Sequence, residues 1–217
     1  MSVTLSTGST ISVAKAYSAA ITVTTATNAP SCQLTTTSAH TFEVGNYVEV
    51  SSGWGLMDQR ILRCASGTTG STVVLEGMNT TDTSKFPAGV GIGSVRKITT
   101  WVPVTQVKSM SASGGEQQFT DVTSITDTVA RQMPTIRGAV NMTVDVYDDP
   151  TLGWYADVVA ADEARKPFGL LMAFPNGSKL VANAYWSLLR VPTMAQNEAL
   201  MTQITLSYAA EPVRYAA

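Results

Sequence analysis

Few side chains in this sequence could do chemistry, and they do not gather. His40, the only histidine, stands between Ala39 and Thr41. Its titration near neutral pH would suit a general base, but no nucleophile can be paired with it. The spacings of a nucleophile elbow, a P-loop, a zinc-protease helix or paired Cys-x-x-Cys are absent. Asp145, Asp148 and Asp149 fall close together. Three carboxylates could hold calcium, yet the EF-hand spacing and its closing glutamate are missing, so they read as a strand end followed by a helix cap. Gly89-Val90-Gly91-Ile92-Gly93 has the spacing G-x-G-x-G and runs into a strand pattern, so it reads as a flexible hinge, not a phosphate cradle. Cys32 and Cys64 could complete a metal site only with ligands beyond His40; they read as buried free thiols, with a disulfide between them as the alternative. Among Trp54, Trp101, Trp154 and Trp186, the second pair lies on apolar faces, and Trp54, in a Ser/Gly loop, is the tryptophan expected at the surface. No catalytic set, cofactor or metal is expected, and with them no enzyme.

Composition narrows the classes further. Apolar residues make up 44% of the 217, enough for a sizeable core, while charged residues make up only 14%, against roughly 25% in ordinary soluble proteins. Ser, Thr and Ala fill the difference, which suits a chain that covers much of itself with copies of itself. A net charge of −2 argues against tight nucleic-acid binding, which needs clustered Lys and Arg to displace counterions. The opening ten residues lack the basic and apolar regions of a signal peptide. The longest apolar run, residues 168–174, is too short to span a bilayer. Synthesis in a cytoplasm, with no membrane partner, is expected.

The elements fall into three stretches. Residues 1–28 alternate Ser/Thr with aliphatic residues and predict strands at 10–14 and 21–25. Residues 29–97 carry four short strands, at 31–36, 46–50, 60–64 and 71–76, separated by Gly, Ser and Asn turns; such spacing predicts a small β-barrel. Residues 98–217 carry longer elements. A strand at 98–108 contains Pro103, which belongs at an edge or bulge. Residues 109–134 show no strong periodicity and read as a long loop. Residues 136–147 alternate, with Val140, Met142, Val144 and Val146 on one face and Asn141, Thr143 and Asp145 on the other. A helix follows, with Asp149 as N-cap, Pro150 at its first position and Pro167 as its stop. Two long strands, 179–191 and 199–208, complete the chain after a turn at Pro175-Asn176-Gly177.

This order of parts resembles the major tail tube proteins of long-tailed, non-contractile bacteriophages. The resemblance covers residues 98–212 and rests on a series of motifs: residues 101–108, then Ser111-Ala-Ser-Gly-Gly-Glu-Gln-Gln118, then Gln132-Met-Pro-Thr135. The strand ending Asp145-Val-Tyr-Asp-Asp-Pro150, the helix, Phe174-Pro-Asn-Gly177 and Asn197-Glu198 complete it. Residues 29–97 resemble a small β-barrel module embedded in phage structural proteins, carried by Thr37-Ser-Ala-His40, Gly45-Asn46, Val48-Glu-Val50, Ser52-Gly53 and Arg60; Leu56-Met57-Asp58 departs from it, standing where a more polar turn is expected.

The resemblance implies a mainly β fold: a tail-tube β-sandwich or barrel-like core with one flanking α-helix, plus the inserted barrel. Residues 1–28 would supply N-terminal strands of the core, 29–97 the module on the tube exterior, and 98–217 the core itself. It further implies a structural virion protein, assembled in the host cytoplasm into six-membered rings that stack head to tail. Expected partners are the tape measure protein in the lumen, terminator and tail-tip proteins at the ends, and DNA in passage without specific binding. Ser111, Gly114, Gly115, Glu116, Gln117, Phe119 and Arg131 are the expected inter-ring contacts, and Asn141, Thr143 and Asp145 the expected lumen face. A head–tail connector, a capsid decoration protein and a carbohydrate-binding module are the competing readings.

Overall fold

The computed structural model describes residues 5–217. The chain opens with β1 (Thr10–Tyr17) and β2 (Ile21–Ala26), runs through β3 (Gln33–Thr36), β4 (Tyr47–Ser52), β5 (Arg60–Arg63) and β6 (Thr72–Val74), and reaches β7 (Gly93–Val104). Then come β8 (Val107–Gly114), β9 (Gln117–Asp121), β10 (Gln132–Arg137) and β11 (Val140–Tyr147). The helix α1 (Gly153–Ala164) precedes β12 (Phe168–Ala173), β13 (Lys179–Leu188), β14 (Met201–Tyr208) and β15 (Val213–Tyr215).

Seven of these strands make the larger unit, all antiparallel, in the order β7-β1-β12-β13-β14-β11-β8. β7 and β8 are consecutive in sequence, joined through Thr105 and a left-handed Gln106 (φ 61°), yet they stand at opposite ends of that path. The sheet is therefore folded over on itself into a sandwich. Its interior holds Ile11, Val13, Val144, Leu170, Trp186, Ile204 and Leu206. α1 closes it with Trp154, Val158 and Ala161. Among the described residues, the second half of β7 has β1 on one side and no other strand partner, so Pro103 sits at an edge, where a missing N–H costs no ladder bond.

Three local expectations need correction. Asp149 is not the N-cap: the helix starts at Gly153 after Leu152, and Asp149 instead accepts hydrogen bonds from the Thr151 N–H (3.0 Å) and hydroxyl (2.6 Å), fixing a turn ahead of it. The last two long strands are shorter than expected, because residues 189–200 turn outward between Leu188 and Met201. Residues 109–134 are mostly strand. Ser and Ala alternate too weakly to announce β8, but its backbone pairs with β11 along seven positions of register.

The smaller unit is a closed barrel. β6, β3, β2, the first half of β7, β4 and β5 pair in that order. Glu76 N–H to Arg63 O (2.9 Å) and Ala65 N–H to Val74 O (2.8 Å) join β5 back to β6. β2 thus lies in the barrel and contributes Val23 to its core. Cys32 and Cys64 are buried free thiols there. They flank Leu75 on its two sides, two strand spacings or roughly 10 Å apart, beyond disulfide reach. Burial pushes the Cys64 thiol up to about 12.

Trp54 also departs from expectation: it is buried, donating from Nε1 to Pro87 O (2.8 Å) and packing edge-on against Phe86. The glycine run explains how. A Cβ on Gly91 would lie 2.7 Å from the Trp54 ring, and one on Gly93 would lie 2.1 Å from Ser51 O. The run is a close-packed return, not a hinge. Met57 turns the departing loop inward as a fully buried side chain, and Asp58 accepts from Ser52 N–H (3.0 Å).

The barrel rests on the outer face of the sandwich through Tyr47, Ile61, Ala14, Ile98, Val181 and Tyr215. Gly169 lets it come close, since a Cβ there would meet Ala14, Ile61 and Ile98 at 3.0 Å. Tyr215 Oη accepts from Arg63 N–H (2.8 Å) across the same seam.

Gly91→Ala should destabilise the barrel by about 1–3 kcal/mol through overpacking against Trp54. Gly55→Ala, with open space around it, should be near neutral. Denaturant midpoints of the two variants check this; equal effects would contradict the packing role.

Candidate assembly surfaces

Among the described residues there is no cluster of three or more His, Cys, Asp or Glu able to hold a metal ion. Asp145 and Asp149 spend their carboxylates on neighbouring hydroxyls and amides. His40 stacks on Phe42 (4.3 Å between ring centres) and accepts the Phe42 N–H at Nδ1; desolvation pulls its pKa down. What the fold builds instead is a wall and an arm.

The wall is the outward face of β8, β11, β14 and β13. Strand register lines the residues up in rows across it. Ser113, Asn141, Ser207 and Tyr185 form one row; Ser111, Thr143, Thr205 and Ser187 the next; Ser109, Asp145 and Gln203 the third. The opposite faces of the same strands carry Met142, Val144, Val146, Ile204, Leu206, Trp186 and Leu188 into the core. Alternation of period two forces this division: each polar residue is held outward because its neighbours are held inward. Asp145 is the one charged residue in the three rows. Its carboxylate accepts from Ser109 Oγ (2.6 Å) and Gln203 Nε2 (3.1 Å), and these hydrogen bonds hold it below the usual carboxylate range. The surface is studded with hydroxyls and amides, and a shallow hollow beside Asp145 and Gln203 marks its end at the loop of residues 189–200. It can present weak hydrogen-bonding groups to whatever lies against it.

The arm is the hairpin of β9 and β10, a separate two-stranded sheet. All its strand residues are exposed. Phe119, Ile125, Val129 and Ile136 stand in solvent, Ile125 entirely so. A lone two-stranded hairpin is marginal in water, and this one shows apolar side chains with nothing against them. Gly114 (φ 83°) and Gly115 (φ 78°) form its root; a Cβ on Gly114 would lie 2.0 Å from Ala139 O. Only glycine fits there.

The structure divides the expected contact residues. Ser111 lies in the wall, opposite Thr143. Gly114, Gly115 and Glu116 form the root, where the Glu116 carbonyl accepts the Gly138 N–H (2.9 Å). Gln117, Phe119 and Arg131 belong to the arm, with Arg131 beside Asp127 (3.7 Å). The expected face residues Asn141, Thr143 and Asp145 do share one face. Sequence reasoning missed Ser109, Ser113, Gln203, Thr205 and Ser207, although the alternation through residues 201–208 carried the same signal as that of 136–147.

Comparison with known proteins follows the same direction. Residues 52–217 match the family described as phage tail tube protein, TTP. The chain belongs to that family. Its members are structural proteins of the virion tail, and the mainly β architecture with a large antiparallel sheet and a single helix is consistent with a tail tube sandwich. The match begins at Ser52, within the barrel. No curated protein matches the tail tube chain by sequence. Two solved structures resemble it loosely. One is the tube-terminating cap of the anti-feeding prophage, at 24% identity over 54% of this chain and 83% of that one, with a TM-score of 0.38. The other is from the sheath–tube complex of an extracellular contractile injection system, at 18% identity over 49% and 80%, also 0.38. Superpositions this loose add nothing to the family assignment. No described helix is long and apolar enough to cross a membrane.

Replacing residues 117–136 with a short Gly-Ser link should leave the fold intact, because the arm buries nothing. The expected change in stability is within about 0.5 kcal/mol, read as an unchanged denaturation midpoint; a large loss would show that the arm packs on its own chain.

Proposed function

We propose that the chain builds the tube of a long, non-contractile phage tail, as a purely structural subunit. Six copies close a ring, rings stack head to tail, and the wall of β8, β11, β14 and β13 lines the lumen. The observation that carries this reading is the wall itself: three rows of small polar residues with one carboxylate, backed by a continuous apolar face. A conduit for DNA must wet the duplex without gripping it. Clustered Lys or Arg would neutralise phosphates and hold the strand; hydroxyls and amides do not, and Asp145 offsets the nearby Lys108.

Ring size follows from strand spacing. Four strands from each of six copies, at ~4.8 Å each, give a circumference of about 115 Å and a backbone diameter of about 37 Å. That leaves a duplex room to pass after side chains are counted. Ring closure also covers the free edge of β8, which otherwise invites stray pairing. The same bore would house the tape measure protein during assembly in the host cytoplasm, with terminator and tip proteins closing the ends. The barrel, docked over Ala14, Ile98 and Val181 on the half of the sandwich built by β7, β1 and β12, would sit on the tube exterior.

Asp145→Lys tests the lumen assignment. Asp145 is on the surface, so tubes should still form, visible by negative-stain microscopy, while infectivity falls at least tenfold because a ring of lysines grips DNA. Undiminished infectivity would remove the wall from the lumen.

A further inference from the structure

The wall has two unlike ends. At one end lies the root of the arm, and beside it a hollow of about 410 Å³ lined by small or apolar groups: Gly115, Gly138, Ala139, Val140, Ala209 and Pro212. The hollow is open on one side, with Arg137, Tyr208 and Glu211 completing its lining, and has room for apolar side chains from a partner. At the other end lies the loop of residues 189–200, where Leu189, Val191, Met194 and Leu200 face solvent, Val191 and Met194 at 69% and 75% exposure. The loop is not slack. Thr193 N–H donates to Met201 O (2.8 Å), Thr193 Oγ1 donates to the same oxygen (3.2 Å), and Arg190 bridges Asp162 (3.5 Å) and Glu163 (3.0 Å) at the end of α1. Polar groups tie the backbone down while the apolar side chains stay outside, which is the pre-organisation of a contact surface.

We infer that the loop of residues 189–200 of one copy seats in the hollow beside the arm of the next copy along the tube. This rests on the tube reading above and names the partner surface within it. Hollow and loop cannot meet within one chain. Tyr208 borders the hollow and Met201 borders the loop, and the rigid strand β14 between them spans about 24 Å. A shift along the strands brings the projecting end of one copy to the concave end of another. Such a contact is heterologous and does not close, so it propagates without limit. Among the described residues, no unpaired like charges oppose the contact: Arg137 and Glu211 at the hollow neutralise each other at 3.4 Å, and Arg190 of the loop is already held by Asp162 and Glu163.

Two surface variants test it, Met194→Asp in the loop and Ala210→Arg at the hollow, with Val191→Asp as a second loop variant. Circular dichroism and denaturation midpoints should match wild type. Wild type should form tubes on concentration, whereas each variant alone should lose stacking at least tenfold in the sedimenting fraction. Mixing Met194→Asp with Ala210→Arg restores one intact loop facing one intact hollow, and sets the new carboxylate against the new guanidinium at the other contact, so pairing should return in the mixture. Tubes from the single variants, or no pairing in the mixture, would overturn the contact while leaving the tube reading standing. A wild-type chain that stays monomeric at every concentration would instead overturn the tube reading, and this contact with it.

Discussion

The wall and the core behind it depend on two-residue alternation along β11, β14 and the second half of β13, with β8 added by register. One face of that sheet is sealed by Val144, Val146, Ile204, Leu206 and Trp186 against the rest of the sandwich and α1. The other is left with Ser, Thr, Asn and Gln, together with Asp145 and Tyr185. A slip of one residue would put Asp145 and Thr143 into the core and Val144 into solvent, so the apolar face fixes the polar one. The core therefore does more than stabilise: it decides, residue by residue, what the wall shows. β13 ties the two halves together. Its first half pairs with β12 and β15 beneath the barrel, and its second half pairs with β14 in the wall.

The barrel solves a different problem. Its strands are only three to six residues long apart from β7, and closure leaves none of them with an open edge. Close approach at Gly91, Gly93 and Gly169 does what larger side chains would prevent: it brings the return segment against Trp54 and the barrel against the sandwich. The two units share β7 as a continuous strand, so the barrel is held by chain continuity as well as by the packed seam of Tyr47, Ile61 and Tyr215.

Where hydrophobic patterning was strong, the sequence was legible. Within the expected strand 136–147, residues 140–147 announced β11 and its two faces, while Ile136 and Arg137 belong instead to β10; the Gly-Asn and Ser-Gly punctuation announced the short strands of the barrel. Asn176-Gly177 announced the turn, where Gly177 takes φ 80° and donates to Phe174 O (2.9 Å). Legibility failed where local chemistry allows two answers. Asp149 looked like a helix cap because Asp before Pro fits both a cap and a turn; the backbone chose the turn. Trp54 looked exposed because its Gly and Ser neighbours suggest a loop, and nothing nearby in sequence reveals that Phe86 and Pro87 cover it. β8 and the arm were hidden because Ser, Gly and Gln have weak strand preference, and their pairing is decided by β11 and by each other. The outward residues of β14 were readable from alternation alone, but only the register with β11 shows that they continue the same rows.

The central claim is that the wall of β8, β11, β14 and β13 faces the bore of a tube made by this chain alone. A helical reconstruction of tubes grown from the purified protein tests it most directly. The account predicts a six-fold tube whose inner surface carries Ser111, Asn141, Thr143, Asp145 and Thr205, with the barrel outside. A tube with those residues on its outer surface or between subunits would contradict it.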